Sequence, residues 1–283
     1  MQTLQVTTSI QSVIDTISSD NHEEIKVLIP PGVYRERVVV DKPFITLVGC
    51  GDLPEDVVIS MDYYGLEAMD DGTPKRGTFR TYTMLVDSHD IKVENLTIEN
   101  ASGDSKTHGQ ALALYADGDN VYYSNVRLLG HQDTLFVGPL PPKEVEPGGF
   151  IGPKQFSPRI VGKHYFNNCY ICGDVDFIFG GGSAYFNNCV IESLFRGEDQ
   201  VVQGYVTAAS TPEGESDGLV FTGCKLISRD CPEACVYLGR PWREFAKTKF
   251  VDCSFGPHIH PELWREWSGR IAAGNVKYIV ENK

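Results

Sequence analysis

No stretch of the 283 residues sustains the roughly 18 apolar residues that a membrane-spanning helix requires. Basic residues are short: 25 Lys and Arg stand against 38 Asp and Glu, for a net charge of −13. That balance argues against a nucleic-acid partner, whose phosphates need a basic surface. It also weighs against a densely anionic polymer as preferred ligand, unless a local basic groove overrides the average. The opening MQTLQVTTSIQS has neither a basic segment nor an apolar core, so no secretory leader is read there. No serine nucleophile elbow and no H-E-x-x-H zinc site is read from the chain. Helical periodicity is scarce, and 41% hydrophobic content with 22% charge fits a soluble globular protein.

What the chain does have is a recurring β pattern. Val93-Glu94-Asn95-Leu96, Tyr123-Ser124-Asn125-Val126, Phe166-Asn167-Asn168-Cys169, Phe186-Asn187-Asn188-Cys189, Phe221-Thr222-Gly223-Cys224 and Phe250-Val251-Asp252-Cys253 share one shape. A bulky apolar residue is followed by two mostly polar or small ones, then by a smaller apolar residue. A further apolar residue follows two places on (Ile98, Leu128, Ile171, Ile191, Leu226, Phe255), which is strand alternation. The units recur at 20 to 43 residues, so the repeat is an irregular solenoid. Short β units at such intervals suit an all-β, right-handed parallel β-helix whose coils stack. The Asn, Gly or Asp before the small apolar residue suits a turn in the left-handed backbone region.

Eight cysteines are present. Cys169, Cys189, Cys224 and Cys253 fall at the small apolar position and are expected in one inward stack of buried thiols. Cys169 and Cys172 also spell C-x-x-C, which leaves a zinc reading open, and a disulfide between Cys231 and Cys235 stays open as well. Thr8-Ser9 before Ile10, Val13, Ile14 and Ile17 reads as an N-cap and apolar stripe, hence a capping helix over the first coil. Residues 137–158 are rich in Pro and Gly, have no period, and read as a loop leaving the solenoid of an otherwise single domain, 1–283.

The run GDVDFIFGGG (Gly173 to Gly182) places carboxylates against hydrocarbon. Simple alternation puts Asp174, Asp176 and Ile178 on one face and Val175, Phe177 and Phe179 on the core face. Asp176 is then on the outer wall, as a solvated acid or as a held charge. Gly109-Gln110-Ala111-Leu112-Ala113-Leu114, Gly130-His131-Gln132-Asp133-Thr134-Leu135 and Leu238-Gly239-Arg240-Pro241-Trp242 carry further candidates. Singly, Gln110 is readable as a turn amide, Arg240 as a surface cation and Trp242 as packing.

Together with Gly32-Val33-Tyr34-Arg35-Glu36, Glu94 to Gly103 and Trp264-Arg265-Glu266-Trp267, these runs stand in an order that resembles the pectinesterase family, from about residue 8 to about 280. The resemblance implies a β-helix esterase that removes methyl groups from galacturonate esters of pectin and releases methanol, without metal or cofactor. It implies Asp176 as nucleophile, Asp133 as proton donor and then base, and Gln110 and Gln132 as oxyanion donors. Arg240 would orient Asp176, Trp242 would stack on a sugar ring, and Thr78 would touch substrate. Phe179 would line a subsite, against its alternation. The expected partner is methyl-esterified homogalacturonan or its oligomers, taken up by a monomer. Lacking a visible leader and rich in thiols, the chain is expected in the cytoplasm, or secreted if a leader was trimmed. A spacing of 43 between Asp133 and Asp176, about twice the usual one, reflects the Pro/Gly loop, which could wall the groove and shorten the accepted substrate. The alternatives are a polygalacturonase or pectate lyase on the same solenoid, and a non-catalytic carbohydrate-binding solenoid.

Overall fold

The computed structural model describes residues 2–267 and 273–282. Every strand pairing in it is parallel, and successive strands lie on successive coils. The chain is a parallel β-helix. A long sheet runs from Gln2–Gln5 through Ile25–Ile29, Ile45–Gly49, Lys92–Asn100, Val121–Leu129, Lys163–Asn167, Ser183–Asn187, Leu219–Thr222 and Lys247–Val251 to Lys277–Glu281. A second face continues from it through Tyr170–Gly173, Val190–Ser193, Lys225–Ile227 and Ser254–Phe255. A separate seven-stranded sheet forms the remaining wall, in the order Val38–Val40, Met84–Val86, Leu114–Ala116, Leu135–Val137, Val175–Gly180, Gly204–Ala209, Val236–Gly239.

The corner between the first two faces is made by the repeat itself. Asn95, Asn125, Asn168, Asn188, Gly223 and Asp252 all have φ between +51° and +64°. Asn, Asp and Gly tolerate this left-handed region best, which is why they recur there. Each corner turns the preceding large side chain and the following small one into the interior. Parallel pairing brings equivalent residues together, about 4.8 Å apart per coil. Tyr123, Phe166, Phe186, Phe221 and Phe250 therefore stack ring on ring, with centroids 4.4–4.7 Å apart and nearly parallel planes.

Cys169, Cys189, Cys224 and Cys253 form the adjoining ladder, each buried and each touching the next. Their thiols donate to the carbonyls of Tyr123, Phe166, Phe186 and Phe221. Cys169 is committed to this stack, whereas Cys172 lies beside Tyr170, outside the main core, so the C-x-x-C does not converge on one point. Cys231 and Cys235 are in contact, yet both are free thiols, so the disulfide left open above is not formed.

The N-terminal end is closed by α1 (Ile10–Ile14), shorter than the apolar stripe suggested. Ile10, Ile14 and Ile17 enter the core, while Val13 is partly buried against it. Ser9 is the N-cap and accepts from Ser12 N at 3.1 Å. The Glu36 carboxylate accepts from Ile10 N (2.8 Å), Gln11 N (3.1 Å) and the Ser9 hydroxyl (2.7 Å). An acid at a helix N-terminus satisfies donors that have no partner inside the helix. No helix among the described residues is long and apolar enough to cross a membrane.

Candidate active site

The seven-stranded sheet places the candidate residues at equivalent points of neighbouring coils. Leu135 pairs with Ile178, so Asp133 and Asp176, each two residues earlier, come side by side. Asp133 N donates to Val175 O at 3.1 Å, and Ala111 N to Gln132 O at 3.0 Å, which brings Gln110 next to Gln132. Arg240 follows the strand Val236–Gly239, and its N donates to Thr207 O at 3.0 Å. A residue separation of 64 in the chain thus closes to a contact: Arg240 Nε to Asp176 Oδ1 is 2.9 Å and Nη2 to Oδ2 is 2.7 Å. Two parallel charge-assisted bonds fix both the charge and the aim of that carboxylate.

Both aspartates sit in the left-handed region, with φ of +65° at Asp133 and +51° at Asp176. Such backbone at a non-glycine residue stores strain, of order 1 kcal/mol or more, and is concentrated at functional sites. It also corrects the alternation read from GDVDFIFGGG. The turn at Asp176 and a register shift between Val175 and Ile178 break the two-residue period. Phe177 and Ile178 both enter the main core, while Phe179 joins a second aromatic cluster on the outer side. Phe179 lines the groove, and Asp176 faces it as the outer-wall reading required. Gly173 makes the local path available, because a Cβ there would lie 2.5 Å from His131 O.

Burial sets the electrostatics. Asp133 is 7% exposed and Asp176 5%. Burial first, and then the Asp176 charge, push the Asp133 carboxyl well above the usual carboxylate range; Arg240 opposes this and Asp174 adds to it. Two adjacent carboxylates with different surroundings hold different protonation states, one suited to donation and one to attack.

A cavity of about 350 Å3 opens over this pair. Gln110, Gln132, Thr78, Phe179, Arg240 and Trp242 all line it together with Asp133 and Asp176, so the eight residues singled out in the sequence converge on one groove. Gly65 leaves room for one of the amides: a Cβ there would lie 3.0 Å from Gln110 Oε1. Thr78 opens the 3-10 turn Thr78–Arg80.

Sequence reasoning passed over several contributors. Arg240 is sandwiched between Tyr205 and Trp267, its guanidinium carbon 4.0 and 3.8 Å from their ring centres. Trp267 belongs to the Trp264–Trp267 run, which gave a signal without a role; Tyr205 gave none. Phe79 and Phe150 complete an aromatic floor with Phe136, Phe179 and Trp242. Asp174, 2% exposed, accepts from Ser105 Oγ (2.8 Å) and Val175 N (2.6 Å) and pairs with His131 Nδ1 at 3.2 Å. One run does spell G-x-S-x-G, Gly214-Glu215-Ser216-Asp217-Gly218, contrary to the reading above. It is a turn leading into the strand Leu219–Thr222 with no helix behind it, and Ser216 Oγ donates to its neighbour Asp217, so it is not a nucleophile elbow.

Fold and site together define a class: a parallel β-helix with a buried aspartate pair, one member clamped by arginine, in an aromatic groove. The chain belongs to the pectinesterase family, whose sequence profile matches residues 3–139 and 160–282. Pectinesterase QRT1 of Arabidopsis thaliana is 30% identical over 263 residues, covering 92% of this chain and 61% of that protein. Pectinesterase 31 of Arabidopsis thaliana is 30% identical over 265 residues, covering 92% of this chain and 73% of its own length. The chain thus spans about three fifths of the first relative and three quarters of the second. Among solved structures, pectin methylesterase PemA from Erwinia chrysanthemi superposes with a TM-score of 0.76 at 26% identity, over 100% of this chain and 92% of that one. A pectin methylesterase in complex with hexasaccharide VII gives 0.75 at 27% identity, over 98% and 89%.

Proposed function

We propose that this protein hydrolyses the methyl esters of galacturonate units in pectin or its oligomers, releasing methanol. The supporting observation is the asymmetry of the pair: a carboxylate gripped at both oxygens by Arg240, beside a buried carboxyl whose surroundings favour its protonated form. The family membership and the likeness to a pectin methylesterase in complex with a hexasaccharide support the same substrate class.

In this reading Asp176 attacks the ester carbonyl carbon. Gln110 and Gln132, on adjacent coils at the groove, donate amide N–H groups to the oxyanion that forms. Collapse expels the methoxy group, which takes the Asp133 proton and leaves as methanol. The substrate acyl group is now joined to Asp176 as an anhydride. Asp133, now ionised, accepts a proton from water as that water attacks the substrate acyl carbon. Asp176 leaves as a carboxylate, Asp133 is protonated again, and the product acid ionises in solvent. Trp242, Phe179 and Thr78 hold the sugar over the pair.

The test is methanol release from methyl-esterified pectin and from short methylated oligomers, with Asp176→Asn as control. Methanol from the wild type, and a loss of at least about 1,000-fold in the variant, supports the reading. New reducing or unsaturated ends without methanol would replace it with a glycosidic-bond enzyme.

A further inference from the structure

The family profile passes over residues 140–159, so this segment is an addition of this chain to the family framework. It leaves the solenoid after the strand Leu135–Val137 and returns at Lys163–Asn167. The addition is pinned at both ends of its course. Lys154 Nζ is bound by the Asp87 carboxylate and lies 3.7 Å from that of Asp117. Arg243 Nη2 donates to Lys143 O at 3.1 Å. Between these anchors Glu144 accepts from Gly148 N (3.0 Å) and Phe150 N (3.3 Å), and the Phe150 ring is buried against Phe79 and Trp242. Gly152 lies flat on Phe79: a Cβ there would come within 2.8 Å of it.

Held this way, the segment forms one side of the groove. What it presents is apolar (Val145, Pro147, Phe150, Ile151) apart from a single charge, the carboxylate of Glu146. Among the described residues the same lining carries five cations. Arg76 is matched by Glu67 (2.5 Å), Arg80 by Asp71 (2.7 Å) and Arg240 by Asp176 (2.7 Å). Arg243 lies over the Trp242 ring and donates to the carbonyls of Trp242 and Lys143, and Lys75 also stands on the lining, outside segment 140–159. Each galacturonate unit that loses its methyl group gains a carboxylate. Against this wall that charge meets hydrocarbon and an acid of its own sign, whereas a methyl ester meets hydrocarbon it can pack on.

We propose that segment 140–159 is a selectivity wall, which admits methyl-esterified units beside the scissile ester and disfavours free galacturonate there. The proposal rests on the pectinesterase reading. It makes the enzyme one for densely esterified stretches, which it leaves as its own product accumulates.

The experiment compares methanol release from a fully methyl-esterified oligogalacturonide with that from the same oligomer about half de-esterified by mild base, as the ratio of kcat/KM per ester. The wild type should favour the fully esterified substrate, and Glu146→Lys should cut that preference by about fivefold, mainly through KM on the charged substrate. Glu146→Gln should fall between them, and added salt should shrink the wild-type preference by screening. Glu146 is exposed, so folding is not at stake. A ratio unchanged in Glu146→Lys and insensitive to salt overturns the wall. No methanol from either substrate with wild-type protein overturns the esterase reading, and the proposal with it.

Discussion

Arg240 reaches Asp176 with two nitrogens on two oxygens, at 2.9 and 2.7 Å, while its own plane is held between the rings of Tyr205 and Trp267. The guanidinium is therefore fixed before substrate arrives, and the carboxylate with it. Lysine has one point charge and no planar fork, so it can neither hold both oxygens in this geometry nor fill the aromatic sandwich. Arg240→Lys should keep the fold and lower kcat for methanol release by about 100-fold, the scale of a misaligned reacting group. Steady-state kinetics beside a thermal melt would check this; a kcat within about threefold of wild type would show that aim does not limit the reaction.

The ionic groups set against Asp133 are Asp176, Arg240 and Asp174. Asp174 is in turn hydrogen-bonded to His131 and Ser105. Its negative charge helps keep Asp133 protonated, so replacing it by the isosteric Asn lowers the Asp133 pKa. A proton donor must be protonated at the start of the cycle, and activity is lost as pH rises through its pKa. Asp174→Asn should therefore move the basic limb of the kcat/KM profile to lower pH. A profile that drops in height without moving would assign Asp174 to local packing alone.

Asp117 makes a prediction about stability. Its carboxyl, 8% exposed, is raised to about 6 by burial first, with Lys154 opposing and Asp87 adding. The folded value lies above that of the unfolded chain, near 3.9. The stability this group contributes is therefore complete below about pH 4 and is lost as pH rises through 6. Asp117→Asn removes that loss. Urea denaturation at pH 8 should find the variant more stable by up to about 3 kcal/mol, with the difference vanishing at pH 4. Wild type more stable at pH 8 would mean the Lys154 contact outweighs the cost of burial.

Phe186 lies mid-ladder, with ring centroids 4.7 Å from Phe166 on one side and 4.4 Å from Phe221 on the other. Phe186→Ala empties a slot that flanking coils cannot close without breaking their own pairing. The expected loss is about 3–5 kcal/mol, read as a lower urea midpoint. A loss below about 1 kcal/mol would show that the stack collapses freely around the gap.

The repeat was legible because its physics is local. A left-handed corner needs Asn, Asp or Gly, and the residues flanking it must alternate in size, so Asn95, Asn125, Asn168, Asn188, Gly223 and Asp252 announced the coils before any contact was known. The cysteine ladder followed from the same register. Phe179 was misplaced by alternation because the period assumes extended backbone, and Asp176 leaves it. The aromatic clamp on Arg240 was out of reach, since Tyr205 carries no mark in its own neighbourhood that distinguishes it from a packing residue.

By itself the sequence determined the stacking of the chain and which side chains bear chemistry, because corner preference, strand alternation and ordered motifs are all properties of short segments. Only the tertiary structure decided that Asp133, Asp176 and Arg240 share one point, how deeply the first two are buried, and that residues 140–159 fold back along the groove. Distance and desolvation depend on how many coils separate two residues and what lies over them, and neither is written in any one segment.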